Sequence, residues 1–194
     1  MDNQQTTENS ADTELIARFI SGDVGAMDAL TERYRQPLFS WLLGMTSTRS
    51  DAEDLFQDIW IKIIKNIERF HGGSFKAWIW RIARNTLIDF RRKKKADVSL
   101  DAVPGENSAP MVDLLTDREK TPVQRVEFED MASRIKEIIH TFPDVQREVF
   151  LMRTQGDLSF REIAETLGIP LNTALGRMHD AMGKLKRALT SLEE

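Results

Sequence analysis

The sequence predicts an all-α protein, two small helical domains joined by a flexible linker. Three observations carry this. Apolar residues recur every three or four positions through most of the chain, and nowhere alternate in a strand pattern. Residues 96–122 lose that periodicity altogether. Beyond them, two helical stretches meet at a turn that opens with glycine, the helix-turn-helix arrangement. With 194 residues the chain has room for one large domain or two small ones.

Residues 1–11 are polar and acidic and are expected to form a disordered tail. The first domain is expected over 12–95. It opens with a short amphipathic helix, "DTELIARFISGD", stopped near Gly22. A longer helix, "VGAMDALTERYRQPLFSWLLGMT", follows, with Pro37 as a site for a kink. Ser50 and Glu53 have the spacing of a capping box at the start of "DAEDLFQDIWIKIIKNIERF". Leu55, Ile59, Ile63 and Ile67 form its apolar stripe, widened by Phe56, Trp60 and Ile64. "HGGS" breaks that helix, and "FKAWIWRIARNTLIDFRRKKK" begins the next.

The 27 residues of 96–122 hold three prolines and six acids against two bases, a net −4. A loop of that length within one domain would be unusual, so a domain boundary falls here. The second domain, 123–194, begins with "VQRVEFEDMASRIKEIIHTF" and "PDVQREVFLMRTQG". Ser159 with Glu162 forms another capping box, and Gly168 is a C-terminal stop. Asn172 is expected to cap a last helix that runs to about Leu192.

Composition narrows the function classes. No run approaches the roughly 20 apolar residues that a membrane span needs. The segment "MDNQQTTENSADTE" is no secretory signal, and the chain has no cysteine for disulfides or thiolate metal sites. A cytoplasmic protein without direct membrane insertion is expected. No phosphate-binding glycine loop, nucleophile motif or HExxH pattern occurs. Asp54 and Asp58, with His71 nearby in sequence, are too few ligands for a hard-metal site. No catalytic residue, metal or cofactor is therefore expected, and the protein reads as a non-enzyme. Net charge is −4, yet unevenly spread: residues 1–60 carry eleven Asp/Glu against four Lys/Arg, and residues 81–95 carry seven Lys/Arg against one Asp. That asymmetry points to two different partners.

Trp78 and Trp80 stand two residues apart on one helix and so cannot share a face. Advancing 100° per residue puts Phe75, Trp78, Ile79, Ile82, Ala83, Thr86 and Phe90 on one arc, the expected core face. Trp80, Arg84, Leu87 and Arg91 share another. Arginines interleaved with an aromatic suit nucleic acid, since guanidinium meets phosphate and indole stacks on a base. The following run Arg92-Lys93-Lys94-Lys95 strengthens that reading. Two alternatives stand: Trp80 packs beneath the preceding helices, or the basic run is a nuclear localisation signal.

The order of these segments resembles bacterial sigma factors. "DAEDLFQDIWIKIIKNIERF", "FKAWIWRIARNTLIDFRRKKK", an acidic linker, "PDVQREVFLM" and "LSFREIAETLGIPLNTALGRM" are most similar to the extracytoplasmic-function (ECF) group of the sigma-70 family. The resemblance spans residues 12–190. It implies a sigma-2-like helical bundle and a sigma-4-like helix-turn-helix domain. It also implies a subunit that binds core RNA polymerase, reads the −10 and −35 promoter elements and nucleates DNA melting. The alternative is a stand-alone helix-turn-helix transcriptional regulator, which would leave residues 12–95 without a purpose.

The resemblance also implies roles for particular residues. Asp51, Glu53, Asp54, Gln57, Asp58 and Trp60 match the helix that binds the β′ clamp helices, carboxylates suiting arginines and an exposed Trp60 serving as apolar anchor. The β flap is the other implied polymerase contact. The loop Phe70-His71-Gly72-Gly73-Ser74 would take up a flipped −10 base, although His71-Gly72-Gly73 by itself reads as a plain interhelical turn. Trp80, Arg84, Leu87, Arg91 and Arg92 would line the melting duplex. Thr173, Leu175, Gly176, Arg177, His179, Asp180 and Lys184 would face the −35 element from the last helix. Many relatives carry basic residues at the positions of Leu175 and Asp180, so bidentate arginine–guanine readout is not available there. Promoter DNA and an anti-sigma factor are the remaining implied partners. The linker acids Asp97, Asp101, Glu106, Asp113, Asp117 and Glu119 would lie in a basic channel of the polymerase, where the holoenzyme would be nucleoid-associated.

Overall fold

The computed structural model describes the backbone of residues 2–98 and 122–190, with side chains over 9–96 and 131–190. It is helical, with no strand among the described residues. The elements are α1 (Asp2–Ile20), α2 (Val24–Met45), α3 (Arg49–Asn66), a 3-10 turn (Ile67–Arg69) and α4 (Phe75–Val98). α5 (Pro122–His140), α6 (Asp144–Thr154), α7 (Phe160–Leu167) and α8 (Leu171–Thr190) follow. Two compact units result: Met1–Phe39 with Ala52–Glu106, and Ser40–Asp51 with Asn107–Glu194. The expected linker runs from 96, but α4 continues to Val98 and α5 starts at Pro122; residues 99–121 lie outside the described residues.

Helix α1 already begins at Asp2, inside the stretch expected to form a tail. Two polar contacts hold the helix from Asn9 onward. Asn9 Oδ1 accepts from the Phe75 N–H at 3.3 Å, which ties α1 to the start of α4. The Asp12 carboxylate is buried, and it accepts from the Arg33 guanidinium and the Tyr34 hydroxyl of α2. A buried carboxylate is tolerable only with such partners.

Within the first unit, Leu30 and Leu38 of α2, Leu55, Ile59 and Ile63 of α3, and Phe75, Ile79 and Ala83 of α4 form the core. Lys62 Nζ donates to Thr86 Oγ1 at 3.0 Å and pins α3 to α4. Helix α2 runs continuously through Pro37. The cap of α3 differs from expectation: the Asp51 N–H donates to Thr48 Oγ1 at 3.1 Å, so the helix starts two residues earlier, at Arg49. Thr48-x-x-Asp51 and Ser50-x-x-Glu53 both have the capping spacing, and the earlier one is used.

In the second unit, α8 packs against α5, α6 and α7. Val149, Leu151, Met152, Leu158, Ile163 and Ala174 are its core, and Phe142 meets Phe150 edge-on at 5.8 Å. The predicted capping box is present: Ser159 and Glu162 exchange bonds in both directions, and Gly168 ends α7 at φ 64°. Helix α8 begins at Leu171 after Pro170, so Asn172 lies inside it rather than capping it.

Candidate nucleic-acid interface

Helix α3 presents an acidic face. Glu53, Asp54, Gln57 and Asp58 are exposed and Asp51 is half-buried. Trp60 departs from expectation. It is only 6% exposed, and its ring leans on Phe56 at 6.2 Å. Its place three and seven residues before Ile63 and Ile67 seats it on the core seam. The apolar component of the face is instead Ile61, 48% exposed, and Ile64, 44% exposed. Asp54, Gln57, Ile61 and Ile64 recur at i, i+3, i+7 and i+10, one stripe of carboxylate, amide and aliphatic surface.

The loop after α3 is shaped for close approach. Gly72 and Gly73 have φ of 94° and 86°, the left-handed region that glycine adopts without steric cost. Neither has an atom within 4 Å of where a Cβ would stand. His71 is exposed beside them. Ser74 turns out to be the cap of α4, its Oγ accepting from the Ala77 N–H at 3.2 Å. The rings that flank the loop in sequence form an aromatic cluster. Phe70 is 5.2 Å from Phe75 and 5.6 Å from Trp78, and Phe75 stacks on Trp78 at 5.5 Å.

The two tryptophans exchange their expected places. Trp80 is 0% exposed, set edge-on to Tyr34 at 6.1 Å, and Leu87 is buried with it. Trp78 is half-buried. Burying an indole of roughly 200 Å² is worth about 5 kcal/mol. The indole N–H of Trp80 finds no acceptor among the described residues. That costs about 1–3 kcal/mol, so burial wins. The core arc of α4 is therefore Phe75, Ile79, Trp80, Ala83, Thr86 and Leu87. Arg84 and Arg91 lie half-buried at its edge. In the basic run, Arg92 pairs with Asp89 at 3.1 Å and Lys94 lies 5.5 Å over the Phe90 ring. Phe70 was among the expected loop residues, whereas sequence reasoning missed Trp78, Ile61 and Ile64 as surface groups.

Helix α8 holds its −35 candidates on exposed surface. Ala174 and Ala181 face the core, while Thr173, Leu175, Gly176, His179 and Asp180 are exposed. Arg177 and Lys184 are half-buried. Asp180 accepts from Gln146 Nε2 at 3.4 Å, which links α8 to α6. Small residues on the inner seam let α8 lie close to α6 and α7 while its outer face stays free for a groove.

Residues 30–96 match Sigma-70 region 2 and residues 132–185 match Sigma-70, region 4. The chain is 31% identical over 179 residues to the ECF RNA polymerase sigma factor SigW of Bacillus subtilis, covering 91% of this chain and 96% of that protein. It is 27% identical over 192 residues to the ECF RNA polymerase sigma-E factor of Haemophilus influenzae, covering 95% and 98%. The sigma factor RpoE from Bartonella quintana, solved in complex with the anti-sigma factor NepR, has the same fold. Its TM-score is 0.65 at 20% identity, covering 84% of this chain and 97% of that one.

Proposed function

Because this chain belongs to the extracytoplasmic-function group of the sigma-70 family of RNA polymerase sigma factors, we propose that its two helical units divide the work of promoter-specific transcription initiation. The observation that carries the reading is the presence of both sigma regions, in order, in one chain that aligns along nearly the whole of a SigW-type relative. Sigma factors are transcription initiation factors and not enzymes in themselves. In our assignment 12–95 is the polymerase-binding and −10 domain, 96–122 a linker, and 123–194 the −35 domain.

The acidic stripe of α3, with Ile61 and Ile64 in place of Trp60, is the docking surface for the β′ clamp helices. Charge supplies orientation and the isoleucines supply desolvated area. Phe70 and Trp78 take over the role expected of Trp80: half-buried rings on either side of the double glycine in sequence, packed on each other, to which an unstacked base is offered. Arg84, Arg91 and Arg92 supply phosphate contacts beside them. The second unit contacts the β flap and the −35 element. An anti-sigma factor is a further proposed partner, supported by the complexed state of the Bartonella relative. Among the described residues no helix is long and apolar enough to cross a membrane. We assign the protein to the cytoplasm, and to the nucleoid when in holoenzyme.

Run-off transcription with purified core polymerase on a genomic library tests the function. Discrete transcripts should appear only when core and this chain are both present. Nanomolar footprinting of both elements by the free chain would instead favour a stand-alone regulator. In the same system Asp54→Arg and Asp58→Arg should each abolish capture of core polymerase at unchanged melting temperature; normal capture by both reversals removes α3 as the docking surface.

A further inference from the structure

The first ten residues of α8, Leu171–Asp180, hold one cation, Arg177, against one anion, Asp180. Arg177 is half-buried and Asp180 is engaged by Gln146. The exposed pole of this segment is therefore uncharged in sum, and at its middle stands Leu175, 42% exposed. It lies one residue beyond Ala174, which is fully buried against the core, so its side chain leaves the helix on the flank that a groove would meet. Gly176 follows it, with nothing within 4 Å of its would-be Cβ, so no side chain there shields Leu175.

In a helix-turn-helix the N-terminal residues of the second helix reach the base edges. The major-groove edge offers one alkyl group, the thymine C5-methyl, among hydrogen-bond donors and acceptors and bare ring C–H positions. Placing leucine against guanine or cytosine would strip water from polar atoms and return no bond. Against a thymine methyl, the same leucine buries apolar surface on both sides. We propose that Leu175 is a specificity-determining residue of the −35 contact, and that it selects a thymine by its C5-methyl group. The inference rests on the reading of the second unit as the −35 domain.

The test uses holoenzyme assembled from the full chain and core polymerase. Promoters are first selected from a pool randomised at the −35 position. Each thymine of the selected element is then replaced by deoxyuridine, which removes only the methyl. At one position the replacement should weaken promoter binding about fourfold, the equivalent of about 0.8 kcal/mol for one buried methyl-sized group. Leu175→Ala should bind the thymine promoter as weakly as the wild type binds the deoxyuridine one, and should no longer distinguish the two. A thermal melt checks that the variant is folded. Indifference of the wild type to every deoxyuridine, or undiminished discrimination by Leu175→Ala, overturns the inference while leaving the −35 reading intact. Selection that yields no −35 preference at all overturns both. Discovery that Leu175→Ala loses a protein partner while thymine discrimination is unchanged assigns the leucine to that partner instead.

Discussion

Helices α4 and α8 are each the proposed DNA-facing helix of their unit, and they are built on opposite plans. Helix α4 buries Phe75, Ile79, Trp80 and Leu87, so its core face is wide and aromatic. Helix α8 buries only Ala174 and Ala181 completely. On α4 the ring of Trp78 stacks directly on the core ring of Phe75. Fold and recognition there share side chains. On α8 the exposed residues touch little of the core, so recognition can change without disturbing the fold. On the proposed assignment, the −10 function of this chain is tied to the stability of its first unit, whereas its −35 preference can change with little cost to the fold.

The largest expected effect tests the α4 half of that contrast. Trp80→Ala should destabilise the first unit by about 3–5 kcal/mol, the usual loss for a buried aromatic. Trp78→Ala should cost clearly less in stability, because the ring is half-buried, yet it should slow strand opening at a promoter that is still bound as duplex. Thermal melts and permanganate footprinting separate the two, and equal melting losses would erase the distinction between the rings. A smaller effect is expected from Asp12→Ala, which leaves Arg33 and Tyr34 without their shared acceptor. The buried bond from Tyr34 to this charged group is worth about 1.5–3 kcal/mol and the part-exposed Arg33 adds little, so a loss of that order should appear in urea unfolding of the first unit. Wild-type stability in that variant would mean that α1 is held by its apolar face and the Asn9 contact without help from Asp12.

The second unit should respond more mildly. Ser159→Ala removes the acceptor for the Glu162 N–H and half of the capping box on α7. The expected cost is about 1 kcal/mol. Promoter preference should be untouched, because Ser159 is not among the exposed residues of α8. A changed −35 preference in Ser159→Ala would show that α7 and α8 are not as separable as the alanine seam implies.

The two helices also differ in how far their sequences foretold them. Helix α7 was legible down to its capping atoms, because Ser159, Glu162 and Gly168 each have a local job and no competitor at neighbouring positions. The existence of α4 was equally plain, but its inward face was not. Apolar or aromatic residues stand at 75, 77, 78, 79, 80, 82, 83, 87, 88 and 90, more than half the circumference. Periodicity alone then leaves the burial arc free to rotate by one residue step or more. What sets it is Tyr34, on another helix, which meets both Phe75 and Trp80 edge-on. That is a long-range choice, invisible to local pattern. Trp60 was misplaced for the same reason, since a ring beside a seam of isoleucines is drawn into it. The polar site residues were foreseen better than the aromatic ones: Glu53, Asp54, Gln57, Asp58, His71 and His179 are all exposed as expected.

The smallest effect concerns pH, and it belongs to the second unit alone. His140 ends α5, and its Nδ1 lies 3.3 Å from Arg147 Nη1, a donor that requires an unprotonated ring nitrogen as acceptor. Loss of hydration, then the positive charges of Arg147 and Lys136, hold its pKa below the ordinary 6.5. Asp144, which pairs with Arg147, and Glu137 are the carboxylates nearby. In the unfolded chain His140 regains its ordinary affinity for protons, so between its folded value and about 6.5 the unfolded state binds more of them. Stability contributed by the neutral ring is therefore complete above that range. It falls as pH drops below 6.5 and stops falling once the folded ring is itself protonated. Carboxylates titrate near pH 4, so the window between about 5 and 7 belongs to histidine. His140→Gln should flatten the pH dependence of the second unit's melting in that window, and leave the first unit's melting unchanged. An unaltered slope in the variant would mean that His140 is not the source of the pH response.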